Sequence, residues 1–197
     1  MKLPYEEFDL SGVSTYPLAT RKSKANAAEF ATPYTGGDIT AFIDSLPSIL
    51  AAADFKAVVA AMKTAQSEGR AIIWGLGAHV IKTGLSPVLI DLMERGFVSA
   101  IAANGAVVIH DFELALSGAT SEDVDEALGP GRFGMAEETA TLLNGAITDG
   151  VARGMGIGQA VGARLREIGP AHAELSIVAA AEIAGHFEQA NLPADAH

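Results

Sequence analysis

The sequence predicts an α/β protein in which helices flank a parallel sheet. Two short apolar runs, 70–74 and 97–103, are rich in the aliphatic residues typical of buried strands. A helical pattern that includes Val88, Leu89, Leu92 and Met93 separates the two runs, and another helical pattern follows the second run. This order is typical of two parallel strands joined by a helical crossover, with helices covering both faces of the sheet.

The rest of the chain predicts further helices and no further strand. Asp38 begins the first helix, Gly69 ends the second, and Thr120 to Asp123 matches a capping box. These helices are expected over 38–46, 55–67, 120–128, 135–147 and 172–187. A doubly wound sheet usually has about five or six strands, so the sheet is expected to be incomplete. We expect an irregular N-terminal segment over 1–37 and a single, partial Rossmann-like domain over 38–197.

Composition narrows the class of function. The chain holds 24 acidic and 13 basic residues, a formal net charge of −11, which disfavours binding to nucleic acid. It has no cysteine, which excludes disulfides, thiolate-bound metals and thiol nucleophiles from these residues. No apolar stretch approaches the roughly 20 residues of a membrane span, and Glu6 and Glu7 interrupt any signal peptide. The prediction is a cytoplasmic protein that binds neither nucleic acid nor a membrane.

The loop after the first run carries residue types that suit an anionic ligand. Gly75 and Gly77 lie between a predicted strand and a predicted helix, where free backbone N–H groups meet phosphates. His79, Lys82 and Thr83 follow them, and the Lys82 ammonium could pair with a phosphate. The third glycine of the dinucleotide fingerprint is missing, because position 80 is valine. The alternative is a tight turn with Lys82 in solvent.

The loop after the second run contains Asn104 and Gly105, followed by His110, Asp111 and Glu113. Ligands of open α/β sheets bind beyond the carboxyl ends of adjacent strands, so both loops are expected to face one crevice that His79 and His110 share. His110 is a candidate general acid or base, with Asp111 or Glu113 orienting it. The alternative is that His110 and Asp111 cap a helix. No metal is predicted, since tight ligand spacing is absent.

Three other segments have structural interpretations. The stretch Gly129–Gly134 matches Gly-x-Gly-x-x-Gly but follows a helix instead of a strand, which favours an interhelical turn. The stretch Gly154–Gly158 also lacks a preceding strand and favours close helix packing or a flexible connection. The basic cluster 21–24 is expected to be a solvated turn, with phosphate binding as the alternative.

The segments 77–85, 91–98 and 104–113 resemble the deoxyhypusine synthase superfamily, and in particular its bacterial deoxyhypusine-synthase-like members. The likeness covers about 72–118. It implies a Rossmann-like NAD-binding fold, a homo-oligomer and NAD-dependent transfer of an aminobutyl group from a polyamine. The family's two NAD loops fall on 78–84, which adds Gly84 to the site, and on 103–106. Its catalytic lysine has no counterpart here, so a shortened member is expected.

Three hypotheses follow. The first is a deoxyhypusine-synthase-like NAD-binding protein, for which the resemblance implies aminobutyl transfer as the activity. The second is another small-metabolite enzyme that uses His110, and the third is a non-catalytic binding or assembly module. The expected cofactor site comprises Gly75, Gly77, His79, Lys82, Thr83, Gly84, Asn104 and Gly105, and the expected catalytic pair is His110 and Asp111.

Overall fold

The computed structural model describes residues 9–183 and confirms the α/β class with a parallel sheet. Strands β1 (Ile73–Leu76) and β2 (Ala100–Ala103) pair in parallel, with Ile73 opposite Ala100. Helices α3 (His79–Lys82) and α4 (Ser86–Glu94) connect them. The predicted helical crossover between two parallel strands is therefore confirmed.

The other elements within residues 9–183 are helical. The longer helices are α1 (Ile39–Ser45), α2 (Leu50–Ser67), α5 (Gly105–Ser117), α6 (Val124–Leu128), α7 (Asn144–Ala152), α8 (Ile157–Ile168) and α9 (Ile177–Ile183). Short 3-10 turns occupy Leu18–Thr20, Ala27–Glu29 and Ala173–Leu175, and a π-helical stretch, Thr139–Leu143, leads directly into α7. The end of the predicted 172–187 helix lies outside the described residues.

The chain falls into two compact units, 1–59 and 60–197, and the division lies within α2. In the first unit, Asp38 caps α1 by accepting a hydrogen bond from the Ala41 amide at 2.9 Å, as its sequence predicts. Tyr34 and Phe42 make an edge-to-face contact with ring centroids 5.6 Å apart. No residue from 9 to 59 is buried. The predicted division at residue 38 stays a prediction.

The second unit contains the hydrophobic core. Phe112 and Val161 are fully buried on α5 and α8, together with Leu165 and Ile177. Trp74 of β1 packs against this cluster and donates a hydrogen bond from Nε1 to the Phe97 carbonyl at 2.9 Å. Burial of each large apolar side chain contributes about 2 kcal/mol, so this core fixes the sheet against α5.

The expectation that helices cover both faces of the sheet is wrong for the described residues. Burial along β1 alternates, because Trp74 and Leu76 face the core while Ile73 is 68% exposed. The apolar run therefore predicted the strand correctly, but it wrongly predicted that both faces of the strand are covered. β1 also extends through Gly75 and Leu76, which the sequence assigns to a loop.

Two helix starts differ from prediction for local reasons. The capping box from Thr120 to Asp123 does not form, because Asp123 itself caps α6 by accepting from the amides of Asp125 and Glu126. The predicted 135–147 helix is divided into the π-helical stretch and α7. Within residues 9–183, no helix combines the length and apolar character needed to cross a membrane.

Candidate functional site

The candidate site lies beyond the carboxyl ends of the two strands. Because Leu76 pairs with Ala103 at the last position of the ladder, the residues that follow them, Gly77 and Asn104, leave the sheet side by side. This edge is where open parallel sheets bind their ligands. The pairing thus places the two predicted loops at one edge.

Helix α5 begins at this edge, and its first two amide groups point out of the helix end. The Asn104 side chain accepts a hydrogen bond from the Val107 amide at 3.2 Å and defines the helix start. The amides of Gly105 and Ala106, in the first turn, have no acceptor within the helix. A helix of 13 residues carries a partial positive charge at this end, which favours an anion.

A cavity of about 240 Å³ adjoins this helix start. Asn104, Gly105 and Val108 line it from the β2–α5 side, Gly158 from the start of α8, and Val178 from α9. A second cavity, of about 310 Å³, shares Gly105 and Val108 with the first. The lining is largely aliphatic, so the space suits a flat apolar ring beside a phosphate-binding helix start.

Three glycines leave the backbone open to a ligand. A Cβ atom built on Gly75, Gly77 or Gly105 would meet nothing within 4 Å. Gly84 differs, because its φ of +82° is a left-handed conformation that ends α3. The geometry of Gly84 therefore accounts for a glycine there without a ligand.

The remaining predicted ligand-binding residues lie on α3. His79 and Lys82 are exposed there, whereas the Thr83 hydroxyl donates to the His79 carbonyl at 2.7 Å. None of the three lines either cavity. The structure brings Asn104 and Gly105 into the cavities and leaves His79, Lys82 and Thr83 outside their lining.

His110 belongs to a chain of polar contacts on α5. Its Nδ1 atom lies 2.7 Å from the Thr120 hydroxyl, which donates to Glu113 Oε2 at 2.5 Å. Thr139 donates to the other Glu113 oxygen at 3.2 Å. Since Thr120 has only one proton and gives it to Glu113, His110 Nδ1 must be the donor in the remaining contact. Neutral His110 therefore carries its proton on Nδ1 and keeps Nε2 as an acceptor.

We expect this tautomer to be visible by NMR. In ¹⁵N-labelled protein at alkaline pH, where an imidazole is neutral, Nδ1 should give a protonated signal and Nε2 an unprotonated one. Thr120→Val should weaken this preference, because the hydroxyl 2.7 Å from Nδ1 is lost and Glu113 Oε2 lies farther away, at 3.6 Å. Thr141→Val is the matched control, since the Thr141 hydroxyl bonds only the Glu137 carbonyl. An Nε2-protonated ring in the unmodified protein would contradict the assignment.

Asp111 lies apart from this network, in the core. Its carboxylate is fully buried and accepts hydrogen bonds from the Ser176 hydroxyl at 2.5 Å and the amides of Ile177 and Val178 at 2.8 and 3.2 Å. Burial raises the pKa of Asp111 from its ordinary 3.8 to about 6, against the opposing effect of these bonds. Asp111 thus joins α5 to the first turn of α9, and Glu113 is the carboxylate connected to His110.

Several residues of the site were not predicted from the sequence. Thr120, in the loop after α5, and Thr139, in the π-helical stretch, contact Glu113 through the packing of these segments on α5, and Ser176 meets Asp111 across 65 positions of the chain. The sequence did offer a way to find Gly158, because this residue belongs to the glycine-rich stretch 154–158 at the start of α8. Among residues 9–183, no cluster of three or more His, Asp or Glu side chains is placed to hold a metal ion.

The geometry of the strands and of the cavity assigns the chain to a class of domain. Two parallel strands, a helical crossover and a cavity beyond their carboxyl ends are those of a Rossmann-type α/β domain. The family described as "Arginine dihydrolase ArgZ-like, C-terminal, Rossmann fold" matches residues 56–155. This chain belongs to that family. No curated protein and no solved structure gives a significant match.

The resemblance to the deoxyhypusine synthase superfamily is therefore wrong. The segments that suggested it, within 72–118, lie inside the region that matches the ArgZ-like family. They consist of an apolar strand, a small-residue loop and a helix, a pattern that Rossmann-type domains share regardless of their chemistry. The expected aminobutyl transferase function, which depended on this resemblance, is wrong as well. The resemblance also no longer supports the expected polyamine ligand.

Proposed function

We propose that the chain is a nucleotide-binding domain that takes NAD at the β1–β2 edge. The observation that carries this proposal is the start of α5, where amides at the helix end, an open glycine at position 105 and an aliphatic cavity meet. Membership of a family described by its Rossmann fold supports it. The proposal of NAD as the cofactor therefore depends on the geometry of this site and on the fold of the family, and not on the resemblance to deoxyhypusine synthases.

The residues present fit the parts of a dinucleotide. The amides of Gly105 and Ala106 would hold a phosphate, and the aliphatic cavity beside Val108 would take a ring. Gly77 would let the backbone after β1 approach the same group. The acidic residue that often binds the ribose at the end of the second strand is absent, and Asn104 occupies that position.

We propose that these residues bind a nucleotide and do not hydrolyse a guanidine group. The family description names an arginine dihydrolase and assigns the Rossmann fold to its C-terminal part. The chain has no cysteine, so a thiol cannot supply the nucleophile here. Bound NAD would supply hydride transfer. The prediction that His110 moves a proton stays open, and Glu113 is the group that would orient the ring through Thr120.

Calorimetric titration of the chain with NAD tests the proposal. We expect Gly105→Val to weaken NAD binding at least tenfold, because the added side chain fills open space beside the helix start. The backbone of Gly105 is not left-handed, and its Cβ meets no neighbour, so the variant should fold normally. Gly77→Val should weaken binding for the same reason.

Gly129→Val is the matched control. Gly129 is also open, has an ordinary φ of −54°, and begins the stretch that matches the dinucleotide fingerprint by letters alone. NAD affinity should be unchanged in this variant. Loss of binding in Gly129→Val with retention in Gly105→Val would contradict the assigned site, and no binding by the unmodified chain would contradict the function.

A further inference from the structure

The first unit presents apolar surface that its own fold does not bury. Among residues 9–59, eleven large apolar side chains are exposed, including Tyr16 at 65% and Leu18 at 70%. These two side chains lie in one short segment of the chain and offer it apolar contacts with a partner.

Residues 16–24, here called the basic segment, combine apolar and cationic groups. Tyr16 and Leu18 are followed by Arg21, Lys22 and Lys24, which are all exposed. No acidic residue lies between positions 10 and 28. The backbone is extended at both ends of the Leu18–Thr20 turn, so the side chains are spread along the segment.

The second unit contains a groove of complementary character, here called the acidic groove. It has a volume of about 570 Å³ and is lined by half-buried Leu116 and Leu142 and by the carboxylates of Glu113, Glu122 and Glu138. The stretch 122–138 that borders it carries six carboxylates and one cation, Arg132. The groove thus offers apolar contacts within an excess of negative charge.

We propose that the basic segment of one copy docks in the acidic groove of a second copy. Tyr16 and Leu18 would contact the leucines, and the three cations would pair with the carboxylates. In the proposed dimer, the basic segment of each copy occupies the acidic groove of the other, and one twofold axis relates the two contacts. A segment of nine residues reaches up to about 30 Å when extended, enough to cross a groove of this size.

Charge reversal gives a direct test by sedimentation velocity of the full chain. The unmodified chain should be a concentration-dependent dimer. The triple variant R21E/K22E/K24E and the double variant E122K/E138K should each raise the dimer dissociation constant at least tenfold, because like charges then face each other. Mixing the two variants should restore a dimer, since both contacts in the mixed pair again join opposite charges.

Lys63→Glu, which reverses an exposed cation on α2 outside the basic segment, is the control and should leave the dimer intact. Because Glu122 accepts from the Gly134 amide, E138K alone serves as a second groove variant, and circular dichroism checks the fold of each. A monomer at all concentrations, dimers that survive both reversals, or a mixture that stays monomeric would each overturn the proposal.

Discussion

Asp111→Ala should lower the free energy of unfolding by about 3–5 kcal/mol. The substitution leaves the buried amides of Ile177 and Val178 without an acceptor and removes the bond from Ser176. It also leaves a cavity where α5 meets α9. Chemical denaturation followed by circular dichroism measures the loss. A cost below about 1 kcal/mol would show that α9 does not depend on this carboxylate.

The same carboxylate should make stability depend on pH. Its pKa in the folded chain, about 6, exceeds its ordinary 3.8, so the folded state binds the proton more tightly. The resulting stabilisation is complete below about pH 4 and is lost as pH rises through 6, by roughly 3 kcal/mol in total. Asp111→Asn is the control, because the amide does not titrate. The stability advantage of the unmodified chain over Asp111→Asn should shrink between pH 4 and 7, and growth of that advantage would contradict the account.

Gly150→Ala should destabilise the chain by about 1–3 kcal/mol, although alanine is the better helix former. A Cβ on Gly150 of α7 would overlap the Cβ of Ala160 on α8, so the two helices would have to separate. Thermal unfolding measures the effect. Within the same helix, Gly145 is the matched control, because its Cβ would meet nothing within 4 Å. Gly145→Ala should be neutral or stabilising by up to about 1 kcal/mol.

The double variant G150A/A160G isolates the cause. It moves the methyl group from α8 to α7 and restores the space between them, so most of the loss should be recovered. If G150A/A160G is no more stable than Gly150→Ala, close packing at this crossing is not the reason for the glycine. Gly162 has the same role toward α9, where a Cβ would lie 2.6 Å from the Glu182 Cβ.

Local patterns predicted the parts of the fold that depend on neighbours in the chain. The parallel pair β1–β2 and its crossover followed from two apolar runs and the helix between them, and Asp38 marked the start of α1. The exposed face of β1 could not be predicted in this way, because Ile73 has the same character whether or not a helix covers it. Which face is covered depends on the whole set of packed elements.

Some residues of the candidate site could be predicted from the sequence and others could not. Asn104 and Gly105 were predictable, because a residue that ends a parallel strand and begins a helix lies at the ligand edge. The role of Asp111 was not, since its partners at 176–178 are distant in sequence and look like ordinary helix residues. His110 and Asp111 are adjacent in the chain but point to different surroundings, as successive residues of a helix do.

Hydrogen–deuterium exchange with and without NAD tests the central claim most directly. If NAD binds at the β1–β2 edge, protection should increase in peptides that cover 75–78 and 103–108, and in those that cover the start of α8 near Gly158. Peptides that cover the fingerprint-like stretch 129–134 should exchange at the same rate in both conditions. Protection confined to 129–134, or no change at saturating NAD, would contradict the account.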